Sequence, residues 1–343
     1  MKNIYGMTLS DLETYFISIG DKKFKAIQVF EWLYKKRVSS FQEMTNVKKE
    51  TLNKIEEDFN LDKLKIIDKK VGKDVTKYLF ELNDCEKVEA VLMNHDYGNS
   101  LCVSTQVGCN MGCTFCESGR LKKVRNLEVH EMVLQILAIE DDQNTRISHV
   151  VLMGIGEPFD NYDNIVKALN IMICPKGIDL GQRRITVSTC GLVSKIKEFA
   201  NLNTQVNLAI SLHAPNQKLR ESLMPIAKAY PLDKLMEAVD YYIDKTNRRV
   251  TMEYILLENV NDSIENAKEL ASLLKGKLVY VNLIPYNTTS SDFKRSSKER
   301  INAFFDVLVK NGINTQKRRE MGKDIKGACG QLKANYERDG KNA

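Results

Sequence analysis

From about residue 100 onward, short apolar runs rich in β-branched residues alternate with segments of helical periodicity. The apolar runs are residues 101–104, 149–153, 184–188, 206–211, 250–255 and 277–284, and the helical segments are 128–140, 162–173, 192–201, 232–244, 263–275 and 297–310. Strands that alternate with helices indicate βαβ units and a parallel sheet. Six units are too few for a closed eight-stranded barrel. The sequence therefore predicts an α/β fold built on a partial (β/α)6 barrel.

The charge of the chain is modest, but basic residues recur in short groups. The 343 residues carry a net charge of +6, with 43% apolar and 28% charged residues, as in ordinary globular proteins. The basic groups are 22–23, 35–37, 48–49, 122–123, 183–184, 248–249 and 317–319. If they converge on one face, nucleic acid is the leading polyanionic partner; if they are scattered, they form a solvated surface. No apolar stretch approaches the ~20 residues of a membrane span, so we expect no membrane association and a cytoplasmic location.

Residues 1–65 are predicted to form a small helical domain ahead of the barrel. Apolar positions from Phe24 to Tyr34 recur at helical spacing among basic residues, and a second helix is predicted from Lys48 to Phe59. The basic helix is compatible both with packing on the rest of the chain and with docking on RNA. Residues 66–98 contain two strand-like runs, 77–82 and 87–93, which connect to a core domain at 99–343.

Three cysteines, Cys109, Cys113 and Cys116, lie within eight residues of one another. A 4Fe-4S cluster normally takes four cysteines, so a site with three leaves one iron open to a small molecule. Zinc sites usually add a second pair of ligands about a dozen or more residues away, whereas His130 and His149 are isolated here. Clustered cysteines in a cytosolic chain are more often metal-binding or catalytic than cross-linked. The spacing predicts an iron–sulfur site, with zinc as the alternative.

Other polar and glycine-containing motifs follow the predicted strands. The cysteine loop follows the first strand, and the other motifs are Gly154-Ile-Gly-Glu-Pro158, Ser188, Ser211-Leu-His213 and Pro285-Tyr-Asn287. In barrel folds the C-terminal ends of the strands build the active site. We therefore expect these residues to converge on one mouth of the barrel.

Taken together, these motifs resemble those of a known enzyme family. Cys-x3-Cys-x2-Cys is the cluster motif of the radical S-adenosylmethionine (radical-SAM) enzymes, whose fold is a partial (β/α)6 barrel. Five segments match more closely, the first of which contains that motif: 104–116, 125–127, 153–158, 211–215 and 328–332. In this order they resemble the ribosomal RNA adenine methyltransferases of the RlmN/Cfr family. The resemblance spans about residues 87–332.

The resemblance implies cofactors and the residues that hold them. It implies one 4Fe-4S cluster on the three clustered cysteines, and two molecules of S-adenosylmethionine per turnover. One electron from the cluster then releases a 5′-deoxyadenosyl radical. The positions that match S-adenosylmethionine ligands in the family are Gly156, Glu157, Ser188, Ser211, Leu212, His213 and Asn287.

The resemblance also implies covalent chemistry at two cysteines. Cys329 matches the cysteine that first receives a methyl group and then attaches it, as a radical, to the adenine. Cys102 matches the cysteine that forms a transient disulfide with Cys329 and frees the product, and Glu89 matches the proton acceptor of that step. The radical route suits carbon 2 of adenine, because that carbon is electron-poor and is no nucleophile for ordinary methyl transfer.

The family has two branches that differ in the carbon they methylate. One methylates carbon 2 of an adenine in the peptidyl-transferase centre of 23S ribosomal RNA, and some members also act on an adenine beside the tRNA anticodon. The other methylates carbon 8 of the same ribosomal adenine and confers antibiotic resistance. Gly-Glu-Pro at 156–158 favours the carbon 2 branch, since carbon 8 enzymes tend to have Gly-Glu-Ala. The implied partners are 23S ribosomal RNA, tRNA as a second RNA, and an electron donor such as flavodoxin or ferredoxin.

Two other functions remain as alternatives. A radical-SAM enzyme acting on a polypeptide would have no use for Cys329, and a non-catalytic iron–sulfur or zinc protein would bind RNA without consuming S-adenosylmethionine. Glu117 and Cys190 depart from the family pattern near the expected cofactor site. His95, His130 and His149 have no partner pattern and are expected to be surface or packing residues.

Overall fold

One ten-stranded sheet dominates the computed structural model, which describes residues 1–287, 293–319, 321, 322 and 325. The strands are β1 Lys2–Asn3, β2 Phe59–Asn60, β3 Lys65–Val71, β4 Val75–Glu81, β5 Lys87–His95, β6 Gly98–Cys102, β7 Gln106–Val107, β8 Arg125–Asn126, β9 Ile147–Leu152, β10 Ile185–Thr189, β11 Asn207–Ser211, β12 Val250–Leu256, β13 Val279–Pro285 and β14 Thr315–Lys317. The helices are α1 Leu9–Ser18, α2 Phe24–Glu31, α3 Lys49–Asp58, α4 Glu117–Arg120, α5 Val129–Gln143, α6 Tyr162–Ile173, α7 Val193–Ala200, α8 Gln217–Leu223, α9 Leu232–Thr246, α10 Ile264–Leu274 and α11 Lys298–Lys310.

The order of strands in the sheet is β14-β13-β12-β11-β10-β9-β6-β5-β4-β3. Strands β6 and β9 to β14 are parallel, and β3 to β5 continue the same sheet as an antiparallel meander. Each parallel strand is followed by at least one helix before the next, as right-handed βαβ crossovers require. The predicted partial barrel is therefore confirmed.

The helices of the barrel have the caps and apolar stripes that their sequences predict. Ser263 and Ser297 cap α10 and α11 by accepting hydrogen bonds from backbone N–H groups three residues ahead. In α9, residues Leu235, Val239 and Tyr242 face inward and are buried, while the charged positions face outward. Local capping and amphipathicity thus account for these helices before any tertiary contact is considered.

The N-terminal helices pack directly on the barrel. Tyr5, Phe30 and Tyr34 are buried in the same hydrophobic cluster as the barrel helices, and the Tyr34 hydroxyl donates to the carbonyl of Tyr5 at 2.8 Å. Arg37 forms ion pairs with Glu140 and Asp141 of α5. Much of the apolar and basic surface of this segment is therefore used within the protein.

Nine of these elements were not predicted from the sequence: α1, α4, α8, β1, β2, β3, β7, β8 and β14. β3 is rich in lysine and lies at one edge of the sheet, and β14 has three residues at the other edge, so neither has the buried apolar run of an internal strand. No helix within the described ranges is long and apolar enough to cross a bilayer.

Candidate active site

A cavity of about 320 Å³ lies at the C-terminal ends of the parallel strands. Residues lining this cavity include Cys109, Cys113, Cys116, Gly156, Glu157, Ser188, Ser211, His213 and Asn287. It therefore brings together the three clustered cysteines and six of the seven positions expected to hold S-adenosylmethionine. The seventh, Leu212, has its side chain in the hydrophobic core, and its N–H donates to the carbonyl of Glu253 at 3.1 Å. We call this space the cofactor cavity.

The three cysteines occupy the loop between β7 and α4. Hydrogen bonds fix this loop, among them those from the N–H of Cys116 to the carbonyl of Cys113 and from the N–H of Thr114 to the carbonyl of Leu223. Burial raises the pKa of Cys109 to about 12 and also raises the pKa values of Cys113 and Cys116. A bound metal would supply the positive charge that these buried thiolates require.

The donor set fits an iron–sulfur cluster. Over the part of the chain that the structure describes, no three His, Cys, Asp or Glu side chains converge closely enough to hold a single metal ion. A 4Fe-4S cluster binds each thiolate to a different iron, so its ligands surround a volume rather than a point. Three soft thiols that line the same cavity match this requirement better than they match a tetrahedral zinc site.

The loop after β9 is tied to its neighbours by Gly156 and Glu157. Gly156 has φ +112°, and a Cβ there would lie 2.6 Å from the Cβ of Gln106. The Glu157 carboxylate accepts from the N–H groups of Phe159 at 3.0 Å and Cys190 at 2.8 Å. Burial raises the pKa of Glu157, and these two donors oppose that rise. Glu157 thus joins the ends of β9 and β10 at the edge of the cavity.

His213 is neutral, and one of its two ring nitrogens accepts a hydrogen bond from the backbone. It has φ +57°, and its Nδ1 accepts from the N–H of Ile255 at 3.1 Å. Burial, with Arg220 nearby, lowers the pKa of His213 to about 3. Since Nδ1 is the acceptor, the proton of the neutral ring is on Nε2, which can donate. The His213 ring also packs edge-on against Phe115 of the cysteine loop, with centroids 4.9 Å apart.

Arg220 is a site residue that sequence reasoning missed. It lies on α8 and is fully buried, and one of its terminal nitrogens donates to the carbonyl of Cys190 at 2.5 Å. Burial lowers its pKa, while the Cys190 and Cys113 thiols act in the opposite direction. An arginine on a short polar helix resembles a surface residue in the sequence, so no local signal distinguishes it.

A second cavity of about 630 Å³ occupies the interior of the partial barrel. It adjoins the cofactor cavity, because Met153, Glu253, Asn287 and Arg318 line both. Its walls include Cys102 of β6. We call this second space the lumen.

Cys102 and Glu89 lie on the same face of the sheet. Cys102 pairs with Val91, and Glu89 is two residues before Val91 on β5. Burial is the main cause that raises the pKa of Cys102 to about 11; Glu89 adds to the rise and Arg318 opposes it. Cys102 is therefore a thiol at neutral pH and requires a base to react. Cys329 lies outside the described residues.

Glu253 is a second residue that the sequence did not single out. It lines both cavities, and its carboxylate accepts from the amide of Asn282 at 2.8 Å. Burial raises the pKa of Glu253, and Arg318 acts in the opposite direction.

The two residues that depart from the family pattern, Glu117 and Cys190, also line the cofactor cavity.

Two family models match the chain. The radical SAM superfamily model matches residues 103–271, and the model of the ribosomal RNA large subunit methyltransferase N-terminal domain matches residues 2–61. Between them they cover the three clustered cysteines and the N-terminal helices.

Full-length relatives match as well. A protein of Spiroplasma citri, named "Probable dual-specificity RNA methyltransferase RlmN", is 56% identical over 98% of this chain and 99% of its own length. A protein of the same name from Streptococcus thermophilus (strain CNRZ 1066) is 54% identical over 97% of this chain and 88% of its own length. The crystal structure of a radical SAM methyltransferase from Sphaerobacter thermophilus superposes with a TM-score of 0.90 at 40% identity, covering 96% of this chain and 99% of that one.

Proposed function

Because the chain belongs to the RlmN family of radical SAM RNA methyltransferases, we propose that it methylates carbon 2 of an adenine in the peptidyl-transferase centre of 23S ribosomal RNA. One observation carries the proposal. The cofactor cavity, lined by the three cysteines, adjoins a lumen large enough for an adenine base and lined by Cys102. A radical formed in the first space is therefore generated next to the space where a methyl-carrying cysteine and the base can meet.

We propose that Cys109, Cys113 and Cys116 hold one 4Fe-4S cluster, and that S-adenosylmethionine occupies the rest of the cofactor cavity, two molecules being used per turnover. The cluster, when bound, supplies the electron that splits S-adenosylmethionine to a 5′-deoxyadenosyl radical. Around it, the neutral His213 ring offers an Nε2–H donor, and the Ser188 and Ser211 hydroxyls lie at neighbouring strand ends.

The covalent steps are assigned to three residues of this chain. Cys329 carries the methyl group, which loses one hydrogen atom to the 5′-deoxyadenosyl radical and becomes linked through its carbon to the adenine. The Cys102 thiol then gives its proton to Glu89 and attacks the Cys329 sulfur. The S–S bond forms as the bond from that sulfur to the linking carbon breaks, and the electron pair of the broken bond leaves with the product. The shared face of Cys102 and Glu89 supports this assignment. So does the raised pKa of Cys102, because a thiol that stays protonated at neutral pH needs a carboxylate base at the moment of attack.

We also propose the wider partners. The name of the relatives includes dual specificity, which supports a second RNA, and the tRNA adenine beside the anticodon is the candidate. Flavodoxin or ferredoxin is proposed as the electron donor. Residues 1–65 are proposed to be an RNA-docking domain. The proposed location of the protein is the cytoplasm. Carbon 8 methylation is the alternative, and the RlmN name of the relatives favours carbon 2.

Nucleoside mass spectrometry tests the proposed reaction. A 23S ribosomal RNA fragment is incubated with anaerobically reconstituted protein, S-adenosylmethionine and a reductant, and is then digested. We expect 2-methyladenosine. The appearance of 8-methyladenosine would assign the chain to the other reaction, and release of 5′-deoxyadenosine without methylated RNA would mean that the substrate is wrong.

Single cysteine variants test the covalent route. Cys102→Ala should accumulate a protein–RNA adduct that survives denaturing electrophoresis, since the sulfur that frees the product is gone. Cys329→Ala should form no adduct, because it lacks the attachment point. Cys85→Ala, at an exposed cysteine that lines neither cavity, is the control and should behave as the wild type. Methylated RNA from both Cys102→Ala and Cys329→Ala would contradict the route.

A further inference from the structure

An aromatic side chain, Tyr97, is exposed at the tip of the hairpin between β5 and β6. It is 68% exposed, although the ring is large and apolar. Its ring lies parallel to that of His95, with centroids 4.6 Å apart and an interplanar angle of 8°, and edge-on to that of His149 at 5.4 Å and 85°. One face of Tyr97 is thus covered by an imidazole, while the ring as a whole remains accessible. We call these three rings the aromatic platform.

The aromatic platform lies at one end of the lumen. His95 and Tyr97 line the lumen together with Thr186 and Tyr280, each the second residue of its strand. Tyr97 itself directly precedes β6. This end of the lumen is therefore the N-terminal end of the parallel strands, opposite the cofactor cavity.

The hairpin that carries the aromatic platform packs closely against β9. A Cβ at Gly98 would lie 2.4 Å from the hydroxyl of Ser148, so the hairpin and β9 are in the closest possible contact. The same hydroxyl donates to the carbonyl of Asn99 at 2.9 Å and lies 3.0 Å from Nδ1 of His149. The backbone next to Tyr97 is therefore packed against β9, and the His149 ring is held beside it.

Arginines surround this end of the lumen. Arg184 lies near His149, Arg319 lies near His95, and the Arg249 guanidinium lies 4.7 Å from the ring centroid of Tyr280. Arg318 also lies near His95, but it lines both cavities and is not confined to this end. Within the described residues, Arg319 has a distant carboxylate partner, Asp96 at 4.0 Å, and no carboxylate pairs with Arg184 or Arg249. Three of the basic groups in the sequence therefore contribute arginines here. Asp96 and Asp74 also lie near His95, but the arginines outnumber these carboxylates, which favours a polyanion.

Uncharged rings next to these arginines suit a nucleic acid better than an acidic peptide. Burial and the neighbouring arginines lower the pKa values of His95 and His149, so both imidazoles are neutral at pH 7. A flat neutral surface attracts a base, and the arginines attract the phosphates on either side. An acidic peptide would use the arginines but would leave the rings without a partner.

We propose that the aromatic platform is a stacking site for an RNA base that flanks the target adenine. The proposal rests on the proposed function, because it assumes that the target enters the lumen. Cys102 is five residues beyond Tyr97, about 16 Å along an extended strand. A base stacked on Tyr97 therefore cannot be the base that reacts near Cys102. It belongs to a neighbouring nucleotide of the same strand.

Three tyrosine variants test the platform by RNA binding without S-adenosylmethionine. The probes are a ribosomal hairpin that contains the target adenine and an unrelated single-stranded oligoadenylate, since stacking tolerates any sequence. Tyr97→Ala should raise the Kd for both RNAs by about 10-fold, and Tyr97→Phe should bind as the wild type because the ring is kept. Tyr241→Ala, at an exposed tyrosine on α9, is the matched control and should have no effect.

A fluorescent base distinguishes stacking from a general loss of affinity. 2-Aminopurine is placed at single positions within three nucleotides of the target. Wild type and Tyr97→Phe should quench its fluorescence at one position, and Tyr97→Ala should not, even at saturating protein. An unchanged Kd for Tyr97→Ala, an equal loss for Tyr241→Ala, or equal losses for Tyr97→Ala and Tyr97→Phe would each overturn the platform.

The same samples separate failure of the platform from failure of the proposed function. If wild-type protein makes no methyladenosine on the ribosomal hairpin, the proposed reaction is wrong, yet oligoadenylate binding still reports on Tyr97. If the wild type methylates the hairpin while Tyr97→Ala keeps the same KM and kcat, the reaction stands and the platform is wrong. For the platform we expect KM to rise and kcat to change little.

Discussion

At the scale of single residues, His213 is kept neutral by its surroundings. The unfolded chain binds a proton near the ordinary histidine pKa of about 6.5, whereas the folded protein does so only near 3. Acid therefore favours the unfolded chain, and the free energy of unfolding falls as the pH drops below about 6.5. This sensitivity follows from the same burial that leaves Nε2–H available as a donor.

His213→Gln should reduce the acid sensitivity of the fold. The amide oxygen of glutamine can accept from the N–H of Ile255 but does not titrate. Between pH 7 and pH 5 the wild type should lose about 2 kcal/mol more unfolding free energy than the variant. Urea unfolding of both proteins at pH 7, 6 and 5 measures the difference. Parallel losses in the two proteins would show that His213 does not titrate as described.

Cys102 should react slowly with alkylating agents at neutral pH. Its raised pKa, about 11, leaves a small thiolate fraction at pH 7 that grows about tenfold per pH unit up to pH 10. The rate at which iodoacetamide alkylates Cys102 should rise with pH in that proportion. Mass spectrometry of the peptide that contains Cys102 measures this rate. Arg318→Met should slow the reaction further, because Arg318 lowers this pKa. A plateau below pH 9, or a faster reaction in Arg318→Met, would contradict this account.

At the scale of secondary-structure elements, the site depends on how the loops after the strands are joined. The loop after β9 bonds through the Glu157 carboxylate to the loop after β10, and through the N–H of Ile155 to the Ser104 hydroxyl after β6. Arg220 of α8 reaches the carbonyls of Cys190 and Ser211, after β10 and at the end of β11. Four strand ends are thus fixed relative to the cysteine loop.

Gly156→Ala should destabilise the protein more than alanine does at Gly276, a glycine with positive φ and no neighbouring atoms in the way. Both Gly156 and Gly276 have positive φ, but a Cβ at Gly156 would meet Gln106, whereas at Gly276 nothing lies within 4 Å. We expect the Gly156 variant to lose about 2 kcal/mol more unfolding free energy than Gly276→Ala, as measured by urea midpoints. Equal losses would mean that the contact with Gln106 relaxes freely.

At the scale of the whole molecule, the N-terminal helices and the barrel share one hydrophobic core. Arg37 lies at their junction, paired with Glu140 and Asp141 and donating to the carbonyl of Leu137. Glu140 is almost fully buried, so without Arg37 its charge would lose its main partner.

Arg37→Ala should therefore destabilise the whole protein, by about 2 kcal/mol of unfolding free energy. Lys234→Ala, which removes an exposed pair with Glu237 on α9, is the control and should cause no measurable loss. Urea unfolding followed by circular dichroism compares them. A normal midpoint for Arg37→Ala would show that the ion pairs contribute little to the junction.

Much of this protein is determined by local features of its sequence. Periodicity and capping are properties of consecutive residues, so the alternation of strands and helices, and with it the partial barrel, could be predicted. The cysteine spacing and the motifs after the strands followed in the same way, because parallel strands bring their ends to one edge. Six of the seven predicted S-adenosylmethionine positions line one cavity with the cysteines for this reason.

Other features were decided only by the tertiary structure. The burial of Arg220, the position of Glu253 between two cavities and the meeting of Tyr97 with His149 depend on contacts between residues far apart in the chain. Charged and aromatic residues at these positions look like ordinary surface residues in the sequence. Whether such a side chain is buried, paired or stacked depends on what the rest of the fold places beside it, and no local pattern records that.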